Sequence, residues 1–483
     1  MSYDSQIYDI ERELSKVSQA IKTTRNTFVP VNRLPPEILS RVLEYRTSER
    51  DLVVATQVCR NWRYSLIFNP SLWTCFQFQS SYDLDRTLTY LERSKSAPID
   101  VCMNTSRDLD VLKYLALHIA RTRSLIIHAT SDVHAVTPRL CNPAPLLQHL
   151  EIHASEGIIH LPDDFLGRQA PSLRFVKFNY ICPTLESLFP LPNLTEFHLS
   201  LPNGMGPFRM DALFRSFFSS PLLQKIGIEV HDQTVDDIPL DQVISLESLV
   251  ELDYTSNSAG QILPFLKLPR LKRLRVASPL RPGQAQMLAD ILPYGGRSIL
   301  AGVTKMFYRP RPSACSGMIE LSGDGVDVSF SAFCPAPGPV IIDWFSDQTC
   351  IPLGQIEDLK VGGGFPAAAG FPIDFFALGN LRVLRAALWN GEYTGQLLSS
   401  LHPGLGAEVP CRSLQEIWIE RCYWGSRGSL PRLLINLVRE RKRTGHQLRL
   451  LCLVPAYDDD QGPVEELREH VGEVRIRLRA EDV

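Results

Sequence analysis

An excess of charge is missing from this chain of 483 residues: 50 Lys and Arg stand against 53 Asp and Glu, a net −3 at pH 7. A balance of that kind gives no global field for nucleic acid or anionic membrane, and neither is expected as a partner. Long apolar runs are absent too, which excludes a bilayer-spanning helix. Near the N-terminus Asp4, Glu11 and Glu13 stand where a signal peptide would need a basic segment and then an apolar run. The 11 cysteines, an odd number from Cys59 to Cys452, include no Cys-x-x-Cys pair. Reduced, mostly buried thiols in a cytoplasmic or nuclear setting are therefore expected, and no zinc module.

The motifs of catalysis are lacking as well. Gly362, Gly363 and Gly364 are not followed by the Lys-Ser/Thr of a phosphate-cradling loop, and no His-Glu-x-x-His or nucleophile elbow occurs. His149, His153 and His160 cluster in sequence, but His149 falls between strand positions, which suits an exposed residue better than a metal ligand. No catalytic residue, cofactor site or metal site is assigned, and the chain is not expected to be an enzyme.

What is present begins at Leu34-Pro35-Pro36-Glu37-Ile38-Leu39. Proline at a first helical position and a carboxylate in the first turn predict a helix starting at Pro36, with Ile38, Leu39, Val42 and Leu43 as its apolar face. A second helix is expected from Asp51 as N-cap, with Leu52, Ala55, Val58, Cys59, Trp62, Leu66 and Ile67 on one stripe. Asn69-Pro70 breaks the chain before Leu72-Trp73. About forty residues of this kind are too few for independent stability, so a partner is expected.

Three separated signatures, Leu-Pro-x-Glu-Ile-Leu, Val-Cys-x-x-Trp and Asn-Pro-x-Leu-Trp, occur here in the order that resembles the F-box. The resemblance implies a module that docks on the adaptor Skp1 and through it joins a cullin-based ubiquitin ligase. Carried over by position, it implies Leu34, Pro35, Pro36, Ile38, Leu39, Leu52 and Val58 as adaptor-binding residues. Trp62 and Trp73 are read as packing within the module, where large aromatics contribute most burial.

Ahead of the module, Ile7, Ile10, Leu14, Val17 and Ile21 alternate gaps of three and four. This predicts one amphipathic helix, expected to pack on its own chain, with a dimer seam as the alternative. Such lead-in helices resemble those of F-box proteins from mushroom-forming fungi.

After Trp73 a spacing recurs: apolar, two others, apolar, one other, apolar. Trp73/Phe76/Phe78, Leu147/Leu150/Ile152, Leu173/Val176/Phe178 and Leu194/Phe197/Leu199 show it. Leu223, Leu249, Leu271, Ile356, Leu381 and Leu414 open further units. The last two apolar positions point to one side of a short strand, and such strands bury that side only by stacking. The spacing resembles leucine-rich repeats, although Asn257 and Cys422 alone match the turn position of that family. Helical returns are predicted at Asp211–Phe218 and Gln284–Leu292. The expected fold is α/β: a lead-in helix (1–28), an F-box module (29–78) and an irregular solenoid of parallel strands (79–483). Residues 293–352 break the rhythm, as either irregular repeats or a projecting hairpin.

Arg439 to Arg443 end an apolar-striped helix and are read as solvated charge favouring its dipole. Arg270, Lys272, Arg273 and Arg275 form a candidate basic patch. Outward strand residues such as His149, Lys177, Glu196, Arg275 and Trp418 are where target recognition is expected. The function expected is a substrate-receptor adaptor of a Skp1-cullin-F-box ligase, the solenoid binding an unidentified target protein. The alternatives are a Skp1-linked scaffold outside ubiquitin transfer or, less favoured, an α/β enzyme.

Overall fold

The computed structural model describes residues 3–45, 49–78, 84–104, 109–129, 140–155, 157–184, 190–202, 210–230, 243–256, 259–279, 285–287, 291–295, 299–311, 316–333, 341–343, 351–363, 373–388, 391–403, 408–422, 430–455 and 464–477. Its chain forms two compact units, residues 1–191 and 192–483.

The first unit opens with α1 (Tyr3–Thr27), followed by α2 (Pro36–Glu44), α3 (Glu49–Ala55) and α4 (Arg60–Ile67). Helix α2 starts at Pro36, as its proline dictates. The second helix expected from Asp51 is instead two helices, and Asp51 lies inside the first. The break falls at residues 56–59: Thr56 Oγ1 donates to the Val53 carbonyl at 2.7 Å, and Cys59 turns extended. Cys59 then caps α4, its Sγ accepting from the Trp62 N–H at 3.5 Å. Asn69 Oδ1 accepts from the Ser71 N–H at 3.2 Å and opens the short 3₁₀ turn Pro70–Trp73.

A parallel sheet follows: β1 (Cys75–Phe78), β2 (Ile99–Asn104), β3 (Thr122–Ala129), β4 (His149–Ala154) and β5 (Phe175–Asn179). Register stacks Phe76, Val101, Leu125, Leu150 and Val176 in one inward row, and Met103, Ile127, Ile152 and Phe178 in the next. All nine side chains are buried. Each such burial is worth about 1.5–3 kcal/mol, and the rows make the core continuous across strands that could not close one alone. Strands β2 and β3 went unread in the sequence because no Leu-x-x spacing announces them. Helices α5 (Leu84–Ser94) and α6 (Leu109–Leu117) return the chain between the early strands.

The second unit contributes β6 (Glu196–Leu201), β7 (Lys225–Val230), β8 (Glu251–Ser256) and β9 (Arg273–Pro279), again parallel. Then come β10 (Val303–Arg311), β11 (Ser316–Gly323) and β12 (Val326–Phe333), an antiparallel trio. In space the trio runs backwards: β12 pairs with β9 and β10 pairs with β13 (Asp358–Gly363), both in parallel. Within the irregular interval these three strands are therefore part of the sheet and not a projecting hairpin. Strands β14 (Val383–Leu388), β15 (Glu416–Cys422), β16 (Leu450–Pro455) and β17 (Glu473–Ile476) complete it.

Two further expectations change here. Residues 285–287, inside the predicted helical return, form a short strand paired with Ile341–Asp343. The helix Leu430–Arg443 exists, but Arg441 is not solvated: it is fully buried and donates to the Pro410 and Cys411 carbonyls, both at 2.9 Å. A short fork of carbonyls from thirty residues upstream receives the guanidinium in place of water. Met210–Ser216 is helical as read. Asn257 and the Cys422 side chain lie outside the described residues, as does the side chain of Phe78. Among the described residues no helix is long and apolar enough to cross a membrane, and no group of His, Cys, Asp and Glu is placed to hold a metal ion.

Candidate docking face

Helices α2, α3 and α4 close around a small core of Leu39, Ala55 and Leu66, with Leu43, Trp62 and Leu72 packed against it. Leu39 and Leu52, assigned to adaptor contact by position, are 3% and 6% exposed. In this chain both are buried, Leu39 within the module's own core. The remaining assigned residues are open: Leu34 is half-buried, Pro35 and Pro36 are exposed, and Ile38 and Val58 are 47% and 56% exposed. The assigned set thus divides into a supporting layer and a presented layer.

More apolar side chains belong to the presented layer than positional matching had named. Val42 follows Ile38 by one helical turn on the same face of α2, and Tyr45 and Val54 are exposed as well. The spacing of Ile38, Val42 and Tyr45 was the signal available for them. Five exposed apolar side chains, Ile38, Val42, Tyr45, Val54 and Val58, on so small a module make this the candidate docking face.

The two tryptophans fix the module's frame. Trp62 donates its indole N–H to Asn32 Oδ1 at 2.6 Å, and Asn32 Nδ2 donates to the Asn26 carbonyl of α1 at 2.7 Å. One asparagine therefore ties the end of the lead-in helix to α4. Trp73 is fully buried, donates to the Leu66 carbonyl at 2.8 Å and meets Tyr90 of α5 edge-on with centroids 4.9 Å apart. Arg93 lies over the same ring at 4.3 Å. Both rings pack within their own chain.

The outward face of the strands is polar and internally matched. In the first unit Glu151 lies between His149 at 2.7 Å and His153 at 3.0 Å, with Lys177 at 3.9 Å. His149 stacks on Phe175 and His153 on His128. Burial raises the Glu151 pKa, but the hydrogen bonds from His153 and His149 outweigh it and hold the carboxyl below its ordinary value. His128 is lowered, by burial first and by neighbouring His153 second.

In the second unit one row across β6 to β12 reads Glu196, Lys225, Glu251, Arg273, Asp327. Lys225 meets Glu196 and Arg273 meets Glu251, each at 2.9 Å, while Arg275 approaches Asp253 at 3.9 Å. Of the basic patch expected at Arg270, Lys272, Arg273 and Arg275, the last two are thus matched by acids of the adjoining strand, while Arg270 and Lys272 are exposed. The ring of His198 lies across Gly227, where a methyl group would run into its Nδ1. Farther along, Trp418 lies between Arg385 at 5.9 Å and Arg477 at 4.9 Å. Residues named for target recognition accordingly sit on outward faces, each already engaged by neighbours.

A family model described as F-box-like matches residues 31–79. That span takes in α2, α3, α4, the Pro70–Trp73 turn and β1. No curated protein matches the chain. The chain carries an F-box-like domain, followed by a large and mostly parallel sheet.

Proposed function

We propose that the protein is the substrate receptor of a Skp1-cullin-F-box ubiquitin ligase. The F-box-like match supports an F-box protein, and proteins with that domain generally bind Skp1. The observation that carries the reading is the presented layer of Leu34, Pro35, Pro36, Ile38 and Val58 on a module whose own core closes without it. Covering that layer with a partner would supply the apolar burial that forty residues lack.

On this reading residues 79–483 form an irregular array resembling leucine-rich repeats, and its outward strand faces hold the target. No catalytic residue is required of this chain. Holding a target beside a ubiquitin-charged enzyme raises its effective concentration, and the chemistry belongs to the partners. The cytoplasm or nucleus is the compartment that fits.

The test is capture of the full chain by purified Skp1. Ile38→Asp with Val58→Asp is expected to abolish capture while leaving the thermal midpoint unchanged, because both side chains already face water. Leu34→Ala with Pro35→Ala should weaken it. No capture of the wild type would reject the adaptor reading. Capture of Skp1 without a cullin when all three are mixed would leave a scaffold outside ubiquitin transfer.

A further inference from the structure

Helix α1 was expected to pack on its own chain, yet its apolar seam stands uncovered: Ile7, Ile10, Leu14, Val17 and Ile21 are all 54–64% exposed. The helix runs 25 residues from Tyr3 to Thr27. Over that length the alternation of four and three extends to Tyr3 at one end and to Thr24 and Phe28 at the other. A strict two-in-seven seam is narrower than the stripe by which a helix lies on a globular surface, and it fits a second helix of the same period.

Charge along α1 identifies which helix. Residues 3–14 carry Asp4, Asp9, Glu11 and Glu13 against Arg12, whereas residues 15–27 carry Lys16, Lys22 and Arg25 and no acid. One half is acidic and the other basic, so the helix complements itself when reversed. We propose that α1 is a self-association element, pairing antiparallel with α1 of a second copy along this seam. Each of the five central seam side chains removes about 100 Å² from water on burial. Between two helices that comes to about 1,000 Å², the size at which an interface becomes specific. In this register Leu14 packs beside Val17 of the second copy and Ile10 beside its Ile21, and the two helices overlap along their whole length.

The assay is light scattering on the full-length chain after size exclusion. The wild type should give twice the 54.4 kDa of one chain. Leu14→Asp with Val17→Asp should return it to a single chain. Lys22→Glu with Arg25→Glu should weaken association about tenfold by setting acid against acid. Adding Glu11→Lys and Glu13→Lys to that variant should restore it. A parallel pair would trade like for like, so indifference to the first charge reversal overturns the antiparallel arrangement. A wild type that is monomeric at about 100 µM overturns the proposal. So does a monomeric chain whose seam variant loses Skp1, since the occupant is then the adaptor. Ile38→Asp with Val58→Asp leaves the mass doubled, which separates failure of pairing from failure of docking.

Discussion

On the strands of residues 192–483, every outward position of the row from Glu196 to Asp327 carries a charge opposed by its neighbour. On the F-box-like module the reverse holds: Ile38, Val42, Val54 and Val58 stand in water above a core of only a few residues. The sheet satisfies itself through repetition, since each strand finds its complement in the next. The module has no next copy of itself, and under the proposed function its exposed side chains are where the adaptor would sit.

The contrast breaks first at the residue the module shares with the body. Trp73→Ala removes a fully buried ring together with its bond to Leu66 and its packing on Tyr90. A loss of about 3–5 kcal/mol is expected in denaturant unfolding. Arg441→Met comes second. It strips the guanidinium from both carbonyls, and Cys411 keeps the Leu414 N–H while Pro410 loses its Arg441 donor, costing about 1–3 kcal/mol, whereas Lys442→Met at an exposed position is close to neutral.

Acid should act on the histidine cluster by less, below about 1 kcal/mol at its partly exposed Glu151. The lowered Glu151 contributes stability that is present above the ordinary carboxylate range and lost as pH falls through its folded value. The lowered His128 works in the same direction, because the unfolded chain takes up that proton first as pH falls through 6.5. Thermal midpoints should therefore decline between neutrality and mild acid, and Glu151→Gln should flatten the lower part of that decline. Arg273→Gln, which opens one exposed pair of the ladder, is expected to cost about 0.2–1 kcal/mol, and high salt should erase the difference. Ile38→Asp with Val58→Asp sits at the bottom of the stability scale while removing adaptor capture, which sharpens the contrast most.

Much of this was legible where local chemistry decides local structure. Pro36 sets a helix start wherever it sits, and Leu150/Ile152 or Leu252/Tyr254 read as strands from their spacing alone. The break between α3 and α4 was hidden because Val58 and Cys59 continue the apolar stripe across it, and a thiol is an unusual cap. Burial of Arg441 depends on carbonyls thirty positions away, which no local pattern reports. For the candidate docking face, the division between buried and exposed was not legible: Leu39 and Ile38 are adjacent in sequence, and the turn of α2 sends one inward and the other out.

The reversed trio of β10, β11 and β12 bears on how the chain reaches its fold. Glu251 lies opposite Arg273, 22 positions later, so ordinary neighbours can zip together by short steps. Arg273 lies opposite Asp327 and Lys305 opposite Asp358, separations of 54 and 53. Both joins are long loop closures that must be completed before strands on either side share one sheet. Growth by nearest neighbours is interrupted there, and the slow step of folding in residues 192–483 should be the docking of those three strands.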